Sequence, residues 1–365
     1  MMAELYNAPI PLDAPRAWRT YLGGAGLDAL HGSPSGEDGH FPEEWIMSVV
    51  AARNAGREDF PEEGLSHLRE HPETSLKELL ESDPEHFLGA AHAHDHGAQL
   101  GVLVKLIDSA ERLTIQVHPD RATAMELFRS PFGKTECWHI LGGREINGEK
   151  PCIYFGFKEG ITREHWKHLF DVQDIPGMLD CLHRFEVQPG DTILIEGGIP
   201  HAIGAGCFLT EIQEPTDYTI RVERTTPSSF PVADSMCHQG LGFDTMFDCF
   251  HYQGYSREET QRRWFLQSGT REAGNGAVIE DLVRYSDTPF FAMRCLNIPQ
   301  TLTLQNERFN GLYVLKGAGT LHCGGTTCTL QAPQQIFIPA AVQELHFAAE
   351  NNEPLQILQC YGPQD

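Results

Sequence analysis

The chain lacks a long apolar run, a paired-cysteine spacing and any excess of positive charge, and each absence excludes a class of function. Its longest apolar stretch, Leu100 to Ile107, is broken by Lys105 and falls far short of the ~20 residues that cross a bilayer as a helix. The opening residues, Met1 to Trp18, offer no basic segment followed by an apolar core, so no secretory signal is expected and a cytoplasmic setting follows. Ten cysteines are present, yet none forms a Cys-x-x-Cys pair. Scattered singly through strand-like segments, they read as small buried hydrophobes of a reducing compartment. Lysine and arginine number 27 against 51 aspartates and glutamates, a formal charge of −24. That balance argues against nucleic acid and membrane surfaces as partners.

What is present points to a globular enzyme built largely of strands. A 41% hydrophobic content is too apolar for disorder, and 35 glycines with 23 prolines supply many turns. At 365 residues the chain exceeds the size at which one core usually stops growing. In the first hundred residues, Ser75-Leu76-Lys77-Glu78 is a capping box, starting a helix that Asp83-Pro84 ends. Beyond Leu100 the character changes. Val102–Ile107, Leu113–His118, Cys137–Leu141, Cys152–Phe157, Arg184–Val187, Thr192–Ile195, Cys207–Gln213 and Thr219–Arg224 are short and rich in β-branched or aromatic residues. Turn signals such as Gly142-Gly143, Pro189-Gly190-Asp191 and Gly197-Gly198 separate them. Close-spaced short strands predict a jelly roll.

A helical insertion near residues 160–182 interrupts this pattern, read as two short helices broken at Pro176-Gly177, with His165 and His168 on its solvated side. Another helix is predicted at Arg257–Gln267, and a second strand-rich block fills Phe290 to Gln359. The segment from Gly190 to His201 aligns without gaps on that from Pro333 to Glu344, each a strand, a tight turn and a polar side chain. A repeated roll is the economical reading. The fold expected is therefore mainly β. Two jelly-roll domains, residues 1–245 and 246–365, come with helical N-terminal elements and the small helical insertion. Glu344 stands where the first copy has His201, and no Gln-x-His precedes it, so the second roll is expected to be metal-free.

Gln116-Val117-His118 reads as a strand end, with Gln116 and His118 on one face and Val117 on the other. Two polar side chains on the inner face of a roll need a partner, because burying them unpaired is costly. A metal ion meets that need. Glu136, at the start of a strand, and His201, after the Gly-Gly turn, complete a set of two nitrogen and two oxygen ligands. Such a set suits Zn²⁺ and also other divalent transition metals. The tract His92-Ala93-His94-Asp95-His96 also has metal-binding composition, but its position predicts an exposed, adventitious loop.

Four motifs in order, QVHPD (116–120), GKTECW (133–138), GGIPHAIGAG (197–206) and EIQEPTDYTIRV (211–222), resemble the type I phosphomannose isomerases of the cupin superfamily, also called mannose-6-phosphate isomerases. The likeness is strong over roughly residues 100–225 and looser elsewhere. It implies the metal ligands Gln116, His118, Glu136 and His201, with Lys134, Asp217 and Arg221 lining the sugar pocket. The implied reaction interconverts mannose 6-phosphate and fructose 6-phosphate through a cis-enediol, with the chain acting as a monomer or homodimer. The residue types suit this chemistry. A divalent cation polarises a carbonyl, Arg221 offers fixed charge to a developing oxyanion, and Asp217 or Lys134 moves protons.

The chain also departs from that family. Ile220 and Glu223 replace two tyrosines, and the amino-terminal Trp-Gly-Gly signature becomes Trp18-Arg19-Thr20-Tyr21-Leu22-Gly23-Gly24. Both changes touch the expected substrate rim. The local cations expected to hold a phosphate are Lys134, Arg221 and Arg224. Alternative readings are an isomerase of a different or unphosphorylated sugar, or a non-catalytic sugar-binding cupin.

Overall fold

Short apolar runs between turn residues become strands here, and strands outnumber helices among the described residues. The computed structural model describes residues 5–33, 36–351 and 353–364. Among these residues the strands form four sheets. A seven-stranded antiparallel sheet runs in the order Phe265–Leu266, Thr192–Ile195, Glu136–Gly143, Cys207–Gln213, Leu103–Asp108, Glu43–Ile46, Arg16–Ala17. Its partner has five strands: Leu182–Glu186, Cys152–Phe157, His201–Ile203, Gln116–Val117 and Ile220–Arg221. Val104, Trp138, Ile193 and Ile212 of the first sheet meet Ile153, Phe155 and Ile203 of the second in one buried core. The outer face of the five-stranded sheet is closed by the helical insertion, where Trp166, Leu169, Phe170 and Met178 pack on Val117, Ala202, Ile220 and Val222.

The second block pairs a nine-stranded sheet with a four-stranded one, around Leu312, Val314, Ile336, Leu321, Leu345 and Phe347. The repeat appears at the level of strands. Thr192–Ile195 is followed by a strand beginning at His201, and Gln334–Ile338 by one beginning at Glu344. Glu344 is exposed and accepts a hydrogen bond from Gln305 Nε2 at 3.0 Å. Glu344→Gln is therefore expected to shift stability by no more than about 0.5 kcal/mol. Metal content and turnover should stay unchanged, as thermal melts, metal analysis and assay would show.

We propose that the chain folds as two units divided near residue 245, with strands shared across the division. Strands of the first hundred residues join the second block's sheet: Ile10–Leu12 pairs with Gln334–Ile338, and His67–Leu68 and His71–Ser75 follow it. In the other direction, Phe265–Leu266 pairs with Thr192–Ile195.

Local signals are honoured with small shifts. Ser75 caps the helix Leu76–Ser82 as a complete capping box, and Asp83 both ends that helix and caps the next, Pro84–Leu88. The insertion holds two helices, Arg163–Val172 and Ile175–Asp180. The break falls at Gln173-Asp174, because Pro176 sits in the first turn of the second helix, where its missing N–H costs nothing. His165 and His168 are exposed. The histidine tract is a helix, Ala90–His96, instead of a loop, and His92 is buried with Nε2 2.7 Å from the Gln99 carbonyl oxygen. Nine of the ten cysteines are buried, and all ten are free thiols. No described helix is long and apolar enough to cross a membrane.

Candidate metal centre

Gln116 and His118 lie on one face of a short strand, while Val117 packs into the apolar cluster on the other. Strand Gln116–Val117 pairs on one side with His201 and on the other with Ile220–Arg221, which sets the first two candidate ligands beside the third. Two loops are locked together behind them. The Gly198 N–H donates to the His118 carbonyl at 2.7 Å, and Cβ atoms at Gly197 and Gly198 would meet Asp120 Cα at 2.5 Å and the His251 ring at 2.4 Å. Only glycine permits this approach. The fourth position, Glu136, opens the strand Glu136–Gly143. Buried Glu214 braces the segment before it, accepting from Gly133 N (3.3 Å), Thr135 N (3.0 Å) and Arg121 Nε (2.6 Å).

Side-chain geometry fits a cation. His118 Nδ1 lies 2.9 Å from the Tyr218 carbonyl oxygen, and His201 Nδ1 2.8 Å from that of Ile199. Carbonyls only accept, so both Nδ1 atoms carry the proton and both Nε2 lone pairs point inward. Those two Nε2 atoms are 3.2 Å apart, and they lie 3.2 and 3.4 Å from the two oxygens of Glu136. Ligands about 2.0–2.2 Å from one ion stand roughly 3.0–3.5 Å from each other. Glu136 Oε1 is buried with no hydrogen-bond partner. The amide nitrogen of Gln116 lies 3.3 Å from His201 Nε2, and turning that amide over presents its oxygen instead.

Electrostatics agree. Burial, then the charge of Lys134, pushes His118 down to about 3, and burial lowers His201, so both imidazoles stay neutral. Burial opposes ionisation of Glu136, yet the adjacent charge of Lys134 holds its carboxyl well below the usual range. Lys134 Nζ donates to His118 Nε2 at 2.7 Å and to Glu136 Oε2 at 2.9 Å, a cation already drawn to this cluster.

A cleft opens in front, lined by Gln116, Lys134, Asp217 and Arg221, by Arg19 of the altered amino-terminal signature, and by groups that sequence reading missed: Glu43, Lys105 and Glu211. Asp217 accepts from Arg19 Nη2 at 3.4 Å and from Arg53 N at 3.1 Å, and its carboxyl is lowered: burial opposes, Arg19 favours the charge. Arg221 Nη1 donates to the carbonyls of Thr219 (3.2 Å) and Met236 (3.0 Å). Lys105 donates to Glu211 at 2.7 Å. Glu211 is raised by burial and by the charge of Glu136.

Arg224 does not join this lining. It is exposed, stacked on Phe243 and Phe170, with Asp234 at 3.8 Å. The strand ends at Arg221, and the chain beyond it carries Arg224 out to the surface. The departures at Ile220 and Glu223 are likewise structural. Ile220 is core, and Glu223 accepts from Ile115 N at 2.6 Å and pairs with Arg112.

Burial opposes the charge of Glu43, but Arg19 and Lys105 prevail, taking its pKa from 4.5 to about 2. A lowered folded pKa means the unfolded chain binds more protons between these values, so this contribution is present above pH 4.5 and is lost toward pH 2. Melting temperatures from pH 5 to 2 should fall less steeply in Glu43→Gln, by the dependence of about one proton.

No family model matches the chain. It is 28% identical to YvyI of Bacillus subtilis, which carries the mannose-6-phosphate isomerase name, over 74% of the chain and 77% of that protein. It is 33% identical to a mannose-6-phosphate isomerase of Streptococcus mutans, over 33% of the chain and 35% of that protein. Among solved structures, the mannose 6-phosphate isomerase from Bacillus subtilis superposes with a TM-score of 0.74 at 22% identity, covering 97% of this chain and 99% of that one. A zinc-bound mannose 6-phosphate isomerase gives 0.70 at 15% identity, covering 98% and 100%. At such identities the structures speak for the fold alone. In sequence the chain is related to the mannose-6-phosphate isomerases, the family its motifs resemble, and it has the fold of their solved members.

Proposed function

We propose that the chain is an aldose–ketose isomerase interconverting mannose 6-phosphate and fructose 6-phosphate, with Gln116, His118, Glu136 and His201 holding a zinc ion. The observation that carries this reading is the convergence of two inward Nε2 lone pairs and an unpartnered carboxylate oxygen beside a cation-lined cleft. A bound divalent ion supplies Lewis acidity toward the sugar's carbonyl and hydroxyl oxygens.

The chain's own residues do the rest. Isomerisation moves one proton from C2 to C1 and one from the C2 hydroxyl to the C1 oxygen, by way of an enediol, so no oxidant or reductant is needed and a group that protonates one oxygen recovers its proton from the other. Asp217, held as a carboxylate, is the acceptor, and the Lys134 ammonium is the donor toward oxygen. Arg221, fixed by two carbonyls, faces the charge that develops on the enediol oxygens. The unpaired thiols fit a reducing, cytoplasmic setting.

Proton exchange in deuterated water tests this directly. Incubation with mannose 6-phosphate should exchange the C2 proton and produce fructose 6-phosphate. Exchange only with unphosphorylated sugars would move the assignment to another substrate, and exchange with none would make the chain a binding protein.

A further inference from the structure

Arg224 points away from the cleft, so a phosphorylated substrate must be held by another cation. The cleft lining carries four, Arg19, Lys105, Lys134 and Arg221, against the carboxylates Glu43, Glu211 and Asp217. With Glu136 behind them the set is neutral, so a divalent ion and a dianionic ligand would balance each other in a chain of −24 overall. Three of the cations are already engaged. Lys105 holds Glu211 at 2.7 Å, Lys134 holds Glu136 at 2.9 Å, and Arg221 is pinned by two backbone carbonyls.

Arg19 differs. Its Nε is anchored on Glu43 at 2.9 Å, and its guanidinium lies over the Trp45 ring at 5.1 Å, so the base of the fork is fixed. Among the described residues its terminal nitrogens make only long contacts: Asp217 at 3.4 Å from each, and Asn54 Oδ1 at 3.4 Å. Charge-assisted bonds of this kind normally close to about 2.7–2.9 Å. A rigidly mounted, loosely satisfied guanidinium fork is suited to a tetrahedral oxyanion.

We infer that Arg19 determines specificity for the phosphorylated sugar: its terminal nitrogens exchange Asp217 for the phosphoryl oxygens of the substrate. This rests on the isomerase reading, and two probes separate the inference from that reading. The first is turnover of mannose 6-phosphate by the holoenzyme, with inorganic phosphate as competitive inhibitor. In Arg19→Gln, KM and the inhibition constant for phosphate should rise together by roughly ten- to a hundredfold, with kcat falling less than about threefold. Arg19→Lys should recover part of both. The second probe needs no turnover: inorganic phosphate should raise the melting temperature of the unmutated protein and not that of Arg19→Gln.

If the unmutated protein shows the phosphate-induced rise without turnover, the Arg19 site stands and the isomerase reading fails. Unchanged KM and inhibition constant in Arg19→Gln, with kcat lowered, would overturn the inference and leave Arg19 as a brace for Asp217. Should Arg19→Gln not fold, Asp217→Asn decides. Freeing the fork should tighten phosphate binding several-fold by thermal shift, and weakened binding would overturn the inference.

Discussion

His201→Ala is expected to remove the bound metal and turnover together, with activity falling on the order of a thousandfold or more. Transition-state stabilisation by a bound ion is worth several kcal/mol, and about 1.4 kcal/mol corresponds to a factor of ten. His201 is fully buried, its Nδ1 is committed to the Ile199 carbonyl, and its Nε2 lies 3.2 Å from that of His118. Metal analysis beside kinetics checks this, and full occupancy with lost turnover would mean His201 acts other than as a ligand. The histidine-rich helix supplies the control. His94→Ala and His96→Ala together should leave both properties intact, because no metal-binding cluster among the described residues includes them. His92 is buried in the core contact with Phe309, so its removal should instead lower stability.

Lys134→Met is expected to lower kcat by roughly 10²–10⁴, the range for losing a positioned acid or base, while one ion per chain remains bound. Lys134 is buried, and its ammonium touches both His118 and Glu136. Methionine keeps the length and apolar stem and removes the charge. Without that like charge nearby, the inward cluster should bind a cation at least as tightly. Joint loss of metal and turnover would show that Lys134 holds the ligands in place and moves no proton.

Much of this site is visible in the sequence because strand alternation is a local rule. Gln116 and His118 share a face whatever the rest of the chain does, and the Gly197-Gly198 turn fixes where His201 emerges. The capping box at Ser75 and Glu78 is equally local, and its helix begins where the signal says. What escaped reading is long-range. The altered signature marked Arg19 for the substrate rim, but Glu43, Lys105 and Glu211, which meet it across strands far apart in the chain, have no spacing to mark them. Lys105 registered only as a break in an apolar run. A lysine inside a buried strand is itself the signal, since it demands partners such as Glu211 and Glu43.

Composition misled at residues 92–96, where three histidines suggest a surface loop but the backbone completes a helix and buries His92. At Arg224 the expected strand ran too long: it ends at Arg221, which lines the cleft, and the chain beyond carries Arg224 to the surface against Phe243. Pairing of Ile10–Leu12 with the second block was illegible for the same reason as the charge network. Three residues carry no mark of a partner more than three hundred positions away.

The most direct measurement is a titration of metal-free protein with Zn²⁺, following interconversion of mannose 6-phosphate and fructose 6-phosphate. A single site built on Gln116, His118, Glu136 and His201 predicts turnover that rises linearly to one equivalent per chain and then levels. Undiminished turnover in the metal-free protein, or in His201→Ala without bound metal, would contradict it.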